Sequence, residues 1–217
     1  MRRLERQAAQ GDEDARAQLT AERLRTGDLN RDRVKLAAHL RDPLAVQLFP
    51  EAPPGTKCAC KGLRACMRCG GTGTRPLPTD LVPFARTAEI PGDILREWAC
   101  DCAEHVLQFV PDEEDRDLLR AMIARARALD PSLVADRRIE GVPSVSPMER
   151  EPAPAVARAS HTVQLLVNAS ILQRRLEPPS QWRTAFAGVV TMAYRAAGNS
   201  RDERDWQRQA LAGRLLE

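Results

Sequence analysis

Four of the six cysteines lie in one short stretch and are the residues best suited to chemistry. They are Cys58, Cys60, Cys66 and Cys69, spaced as C-x-C and C-x-x-C with five residues between the pairs. Two sulfurs one or two residues apart can point at one cation, and a second pair completes the tetrahedral four-thiolate shell that zinc prefers. The spacing therefore predicts a structural zinc knuckle, with disulfides and free thiols as the alternatives.

The second half of this stretch has a glycine-rich exit. Residues Cys66 to Gly73 read CMRCGGTG, which matches C-x-x-C-x-G-x-G and so resembles one zinc repeat of the DnaJ-type chaperones. Glycine permits the positive φ angles at which the chain turns its backbone N–H groups toward the thiolates. The resemblance covers one repeat of a family that carries four. It implies structural zinc, and it does not imply chaperone activity.

Basic side chains surround the cysteines. Between residues 52 and 79 there is no acidic residue, and the basic ones are Lys57, Lys61, Arg64, Arg68 and Arg75. A zinc ion with four thiolates carries a net charge of about −2, which these side chains would balance. The alternative is a patch that binds phosphate groups or a partner protein. The net charge of +3 does not by itself indicate a polyanionic partner.

The other two cysteines, Cys100 and Cys102, are predicted to be structural. On a helix, residues two apart point about 200° from each other, so the pair cannot hold one metal ion together. Cys102 continues the apolar stripe of its helix and should behave as a small buried hydrophobe. Asp101 and His105 are four residues apart, a spacing that allows an ion pair on the helix flank.

No pattern in the chain indicates catalysis. The three histidines are isolated, with His39 expected at an ordinary surface or interface position. There is no glycine-rich phosphate loop, nucleophile elbow or paired acid motif. A zinc ion with four thiolates has no open position for Lewis-acid chemistry. We therefore expect a protein that is not an enzyme.

Helices must position these residues. The chain has 217 residues, of which 43% are hydrophobic and 4% aromatic. A core of alanine, leucine and valine favours an all-α fold, with short antiparallel helices packed as a bundle or short solenoid. The predicted helices cover residues 2–10, 12–25, 31–40, 43–49, 93–110, 112–129, 155–176, 181–197 and 201–216. A short turn of helix is also predicted over residues 131–138.

Prolines divide the chain. Residues 1–50 are predicted to form helical hairpins, residues 51–91 a proline-flanked zinc knuckle insertion without long helices, and residues 92–217 a helical bundle with a linker near 141–154. No run approaches the roughly eighteen apolar residues of a membrane span, and the first residues lack the apolar core of a signal peptide. We expect a cytoplasmic protein with reduced thiols and no membrane contact.

The outer parts of the chain resemble a family of bacterial immunity or repeat-companion helical proteins. The resemblance lies in the helical opening from Arg2 to Ala45, in the WACDCAEHVL segment from Trp98 to Leu107, in the acidic helix from Asp112 to Arg127 and in ERDWQ from Glu203 to Gln207. The cysteine knuckle looks like an insertion relative to that pattern. The resemblance implies an all-α protein that acts by binding.

Two functions follow from these patterns. The first is a protein–protein interaction module of the immunity or adaptor type, in which the zinc knuckle is a rigid display loop. The second is a nucleic-acid-binding subunit that uses the basic knuckle. The first is favoured, because the knuckle has no aromatic residue for base stacking and no helix directly follows Gly73 to enter a groove.

Overall fold

The computed structural model describes residues 2–50, 56–58, 74–75, 77–130, 154–175 and 178–217. These residues are helical except for connecting turns and two short strands, which confirms the all-α prediction. The helices are Arg2–Ala9 (α1), Glu13–Thr26 (α2), Arg31–His39 (α3), Pro43–Leu48 (α4), Leu81–Thr87 (α5), Gly92–His105 (α6), Glu113–Arg127 (α7), Pro154–Arg174 (α8), Pro179–Ala196 (α9) and Arg201–Leu216 (α10). A 3₁₀ turn, Val106–Phe109, follows α6. No described helix is both long and apolar enough to cross a bilayer.

Helix ends fall where capping residues predict them. Gly27 ends α2 at a φ of +83°, in the left-handed region that glycine adopts at little cost. The Asn30 side chain accepts the Asp32 N–H at the start of α3, and Ser200 Oγ accepts the Glu203 N–H at the start of α10. These bonds satisfy backbone donors that the first helical turn leaves unpaired.

Helix α5 was not predicted, because Pro83 lies inside it. Pro83 is its third residue, and the first turn of a helix needs no N–H donors, so proline is compatible there. The ladder begins at the next residue, where the Phe84 N–H donates to the Asp80 carbonyl over 2.9 Å. Phe84 is fully buried, which gives this short helix an anchor in the core.

The described chain divides into two compact units. The first comprises Met1–Thr79, Thr87–Glu89 and Leu211–Glu217, and the second comprises Asp80–Arg86 and Ile90–Ala210. In the first unit, α1 packs against α2 and α3 packs against α4, and Val34 and Ala37 are fully buried. In the second unit, α6 packs against α7, α8 and α9.

The last turn of α10 belongs to the first unit, and arginines from early in the chain bind its carbonyls. Arg33 donates through Nε to the Leu215 carbonyl at 3.1 Å and through a terminal nitrogen to the Arg214 carbonyl at 3.0 Å. Leu211 and Leu215 are fully buried. Cationic donors suit this end of a helix, because its last carbonyls have no partner within the helix and carry partial negative charge.

The core of the second unit largely follows the apolar stripes that the sequence predicts for its helices. Leu95, Trp98 and Val106 on the α6 segment are buried, as are Phe186, Val189 and Ala193 on α9. The apolar pattern of α7 predicts that Leu118, Leu119, Met122 and Ile123 face inward. The last three are buried, whereas Leu118 is 38% exposed and the prediction is wrong for it. Adjacent residues such as Leu118 and Leu119 point about 100° apart on an α-helix, and Leu118 lies at the edge of the stripe.

Candidate functional site

A pair of short strands closes the base of the cysteine stretch. Strand β1, Thr56–Lys57, pairs in antiparallel fashion with strand β2, Thr74–Arg75. Thr56 lies opposite Arg75, and Lys57 lies opposite Thr74, so the pairing holds together the two ends of segment 58–73. Cys58 follows β1 directly and is 8% exposed. One predicted zinc ligand therefore lies buried at the point where this segment closes.

The remaining predicted ligands and most of the basic side chains lie outside the described residues. These are Cys60, Cys66, Cys69, Lys61, Arg64 and Arg68. Lys57 and Arg75 lie on the two paired strands. The four-thiolate zinc site stays a prediction. The helical turn predicted over residues 131–138 falls outside the described part of the chain, as does the linker predicted near 141–154 except for Pro154, which begins α8.

Cys100 and Cys102 occupy the interior of the second unit, as structural cysteines should. Both are fully buried, and neither forms a disulfide. Burial raises the pKa of the Cys100 thiol to about 12, against the opposing effect of the Arg127 charge. Burial also raises the pKa of Cys102 well above its ordinary value, and the Glu203 carboxylate adds to this shift. Both thiols are therefore protonated and unreactive at neutral pH.

Replacing Cys100 and Cys102 together by serine should leave the metal content of the protein unchanged. Each hydroxyl would lie in an apolar site, so we expect a loss of about 1–3 kcal/mol in unfolding free energy for each substitution. Elemental analysis and chemical denaturation measure the two effects. Loss of zinc in a variant that still folds would show that the metal lies against α6.

A buried polar network joins α6, α9 and α10. The Trp98 indole N–H donates to the Gln207 carbonyl at 2.9 Å. The Gln207 side-chain amide donates to the Val190 carbonyl at 3.2 Å and to Glu203 Oε1 at 3.0 Å, and its oxygen accepts from Arg204 at 3.0 Å. Gln207 is fully buried and Glu203 is 4% exposed. The network satisfies polar groups that would be costly to bury alone.

The sequence contained a signal for this network. Glu203, Gln207, Leu211 and Leu215 recur every four residues along α10, and all four are buried. Residues at this spacing share a helix face, so a stripe that ends in leucines predicts burial of the two polar residues as well. As a large apolar residue, Trp206 is predicted to anchor the core side of α10. Instead Glu203 and Gln207 occupy that side, and Trp206 is only partly buried.

His105 is held at the edge of this network. Its Nε2 lies 3.1 Å from Glu203 Oε2, and its ring stacks on the Trp206 ring with a centroid distance of 3.9 Å. Desolvation raises the pKa of the Glu203 carboxyl, and the charge of His105 and the Gln207 hydrogen bond oppose that shift. Desolvation also lowers the pKa of Arg204, whose guanidinium lies 3.9 Å over the Tyr194 ring.

Asp101 and His105 do not form the predicted ion pair with each other, and each binds a residue on another helix. Asp101 lies 3.3 Å from Arg127, and His105 binds Glu203. Arg127 also lies 2.6 Å from Glu97 and 3.0 Å from Glu104, so one guanidinium on α7 meets three carboxylates along α6. Spacing within one helix could not show this, because the stronger partners come from other helices. The described residues contain no group of three or more histidine, cysteine or acidic side chains that could hold a metal ion.

An open cleft of about 720 Å³ lies beside His105, between the end of α6, the 3₁₀ turn and α7. Its polar lining consists of Glu104, His105, Gln108, Arg116 and Arg120. Such a volume is typical of small-molecule sites, and convergent polar groups of this kind fix the orientation of a ligand. Sequence reasoning did not identify the cleft, because its lining comes from two helices whose packing the sequence pattern does not specify.

Comparison of this chain with protein-family models, with curated proteins and with solved structures gives no match.

Proposed function

We propose that this chain is a non-enzymatic protein–protein interaction module that displays a zinc-bound cysteine knuckle. The observation that carries the proposal is the pairing of β1 with β2 around segment 58–73. A display loop needs a fixed base, and the strand pair supplies one next to the first cysteine. Cys58 is buried at that base, as a structural ligand would be.

Zinc is the metal that this segment fits. Its four cysteines are spaced for a tetrahedral thiolate shell, and such sites usually have no position open to substrate. The strand pair lowers the loss of conformational entropy that accompanies metal binding, because it already holds the ends of the segment together. Metal binding would then order segment 58–73, because the free energy of metal binding contributes to folding only in the segment that supplies the ligands.

The helical units supply their own cores, which leaves the knuckle available for binding. In the second unit, the fully buried large side chains include Trp98, Phe186 and Leu166, all on helices. The predicted knuckle has only Leu63 and Met67 as large apolar residues. A segment that contributes so little to a core is well suited to contact a partner through its basic side chains. The resemblance to bacterial immunity proteins also implies an activity based on binding.

Purified protein should contain about one zinc ion per chain. Chelation should remove the metal while most of the helical circular dichroism survives, because the helices carry their own apolar stripes. Replacement of Cys58 and Cys60 by serine should abolish zinc binding, and the Cys100 and Cys102 double variant is the matched control. Protein that has never met a chelator and contains no zinc would contradict the proposal. Helicity that falls in step with zinc release would show that the knuckle supports the whole fold.

The interaction role is tested with Arg64 and Arg68. The protein should capture a partner protein in a complex that survives high salt. Joint replacement of Arg64 and Arg68 by alanine should weaken this binding and leave the zinc content and helicity unchanged. Arg3 and Arg6, on α1, offer a matched control pair. If binding is instead to DNA or RNA, and falls steeply as salt rises, the nucleic-acid function replaces the one proposed, because release of counterions makes such binding strongly salt-dependent.

A further inference from the structure

The cleft beside His105 presents two arginines one helical turn apart. Arg116 and Arg120 both lie on α7 and both line the cleft. A guanidinium offers several N–H donors in a planar fork that matches the oxygens of a phosphate or carboxylate group. Two such groups four residues apart lie on the same helix face, so they can approach one ligand together.

The present partners of these arginines are exposed and weakly held. Arg116 binds Glu113, and Arg120 lies 2.7 Å from Asp117 and 3.3 Å from Glu113. The Glu113 and Asp117 side chains are 62% and 66% exposed, and ion pairs of this kind contribute little in water. Arg116 Nε is buried and has no hydrogen-bond partner among the described residues. A buried donor without an acceptor carries a free-energy cost, so the present partner of Arg116 does not fully satisfy its guanidinium group.

His105 adds an oriented polar group on the opposite wall. The Glu203 carboxylate binds its Nε2, and the Trp206 ring stacks against its face, so the imidazole is held in one position. Nδ1 makes no hydrogen bond within the described part of the chain. A ring fixed in this way is ready to bind a ligand without losing further side-chain freedom.

Acidic side chains also lie beside the two arginines, and an anionic ligand must compete with them. Glu104 lines the cleft, and its carboxylate lies 3.0 Å from Arg127, a guanidinium that it shares with Glu97 and Asp101. Glu113 and Asp117, the present partners of the two arginines, do not line the cleft, and their exposed carboxylates can turn into solvent when a ligand displaces them. The charged and ionisable groups of the lining are then two guanidinium groups, one imidazole and the Glu104 carboxylate.

We propose that this cleft binds a small molecule through a phosphate or carboxylate group, with Arg116 and Arg120 as the contacts of that group and His105 beside them in the lining. The cleft volume of about 720 Å³ accommodates a metabolite-sized molecule. The proposed site uses residues of the second unit and none of the cysteine knuckle, so the failure of either proposal leaves the other standing.

Titration of the full chain with pyrophosphate and with citrate, at constant ionic strength, tests the proposal. Binding followed by calorimetry should saturate for at least one of the two anions, and the NMR signals of the His105 ring should move along the same curve. Preference for pyrophosphate assigns a phosphorylated ligand, and preference for citrate assigns a carboxylate. Absence of saturable binding for both anions overturns the proposal.

Variants locate the site. Arg116→Gln with Arg120→Gln should weaken binding at least about tenfold, since each lost charge-assisted hydrogen bond accounts for roughly that factor. Arg120→Gln alone serves if the double variant does not fold, because the Arg120 side chain is 53% exposed. Arg125→Gln, on the same helix but outside the cleft lining, is the matched control. Equal weakening by the Arg125 variant, or none by the Arg120 variant, overturns the assignment.

Discussion

Replacing Trp98 by alanine is expected to lower the free energy of unfolding by about 3–5 kcal/mol. Trp98 is the largest fully buried side chain among the described residues, and its truncation would leave a cavity in the second unit. The substitution also removes the donor that binds the Gln207 carbonyl at 2.9 Å. Chemical denaturation followed by circular dichroism measures the loss.

Two further substitutions distinguish the lost side-chain volume from the lost N–H donor as causes of the destabilisation by Trp98→Ala. Trp98→Phe keeps most of the volume and loses the N–H donor, so we expect a loss of about 1–3 kcal/mol. Trp182→Ala is the matched control, since Trp182 is only partly buried and touches Phe186 edge to face at a centroid distance of 6.2 Å. A Trp98→Ala variant no less stable than the Trp182→Ala variant would contradict the central place of Trp98 in the core.

Replacing Gln207 by leucine is expected to cost about 2–5 kcal/mol, although leucine is apolar and of similar size. The substitution leaves the Val190 carbonyl without its side-chain donor and removes one partner each from Glu203 and Arg204. Glu203 is 4% exposed, so water cannot readily replace the lost donor. Denaturation of the variant, compared with a Gln209→Leu control on the exposed side of α10, gives the cost.

A second change should restore part of that loss. Glu203→Met together with Gln207→Leu removes both members of the buried pair, and an apolar pair of similar volume often matches a polar one in stability. We therefore expect the double variant to be more stable than Gln207→Leu alone. The double variant could instead be less stable than Gln207→Leu alone. That result would show that the contacts of the Glu203 carboxylate with His105 and Arg204 contribute more to the free energy of unfolding than an apolar side chain at position 203 does.

The pH dependence of the same variants isolates Glu203. Its pKa is raised above the ordinary value of 4.5, so the folded state holds this proton more tightly than the unfolded chain does. The resulting stabilisation is fully present below pH 4.5 and is lost as the pH rises through the raised value. The variant with Glu203→Met and Gln207→Leu has no carboxyl group at position 203, so its stability does not decrease for this reason as the pH rises. Its stability relative to the natural protein should therefore increase as the pH rises above 4.5, and a constant difference would contradict the shift.

Much of the helical structure could be predicted because the relevant forces are local. Gly27 and Asn30 mark helix ends through backbone conformation and capping, which act within a few residues. Leu95 and Trp98 lie on a stripe whose periodicity alone indicates burial. The sequence does not indicate helix α5, because Pro83 falls inside it and only the structure shows that this proline lies in the first turn.

The polar network and the cleft could not be predicted in this way, because they depend on contacts between distant helices. Glu203 and Arg127 are charged residues on Arg-rich helices, where a solvated surface is the usual expectation. Only packing shows that Glu203 is buried against His105 and that Arg127 lies among three carboxylates of α6. The cysteine spacing, in contrast, predicts a metal site without any packing information.

The last turn of α10 also sets an order of events during synthesis. Residues 211–217 belong to the first unit, but they are synthesised only after the whole of the second unit. The Arg33 hydrogen bonds to the Leu215 and Arg214 carbonyls therefore form late. At ordinary elongation rates this delay is on the order of ten seconds. During that time the Arg33 guanidinium lacks its acceptors, the Leu215 and Arg214 carbonyls. Contacts so distant in sequence slow folding, because a long loop must close first. The first unit therefore completes its contacts only after the second unit has been synthesised.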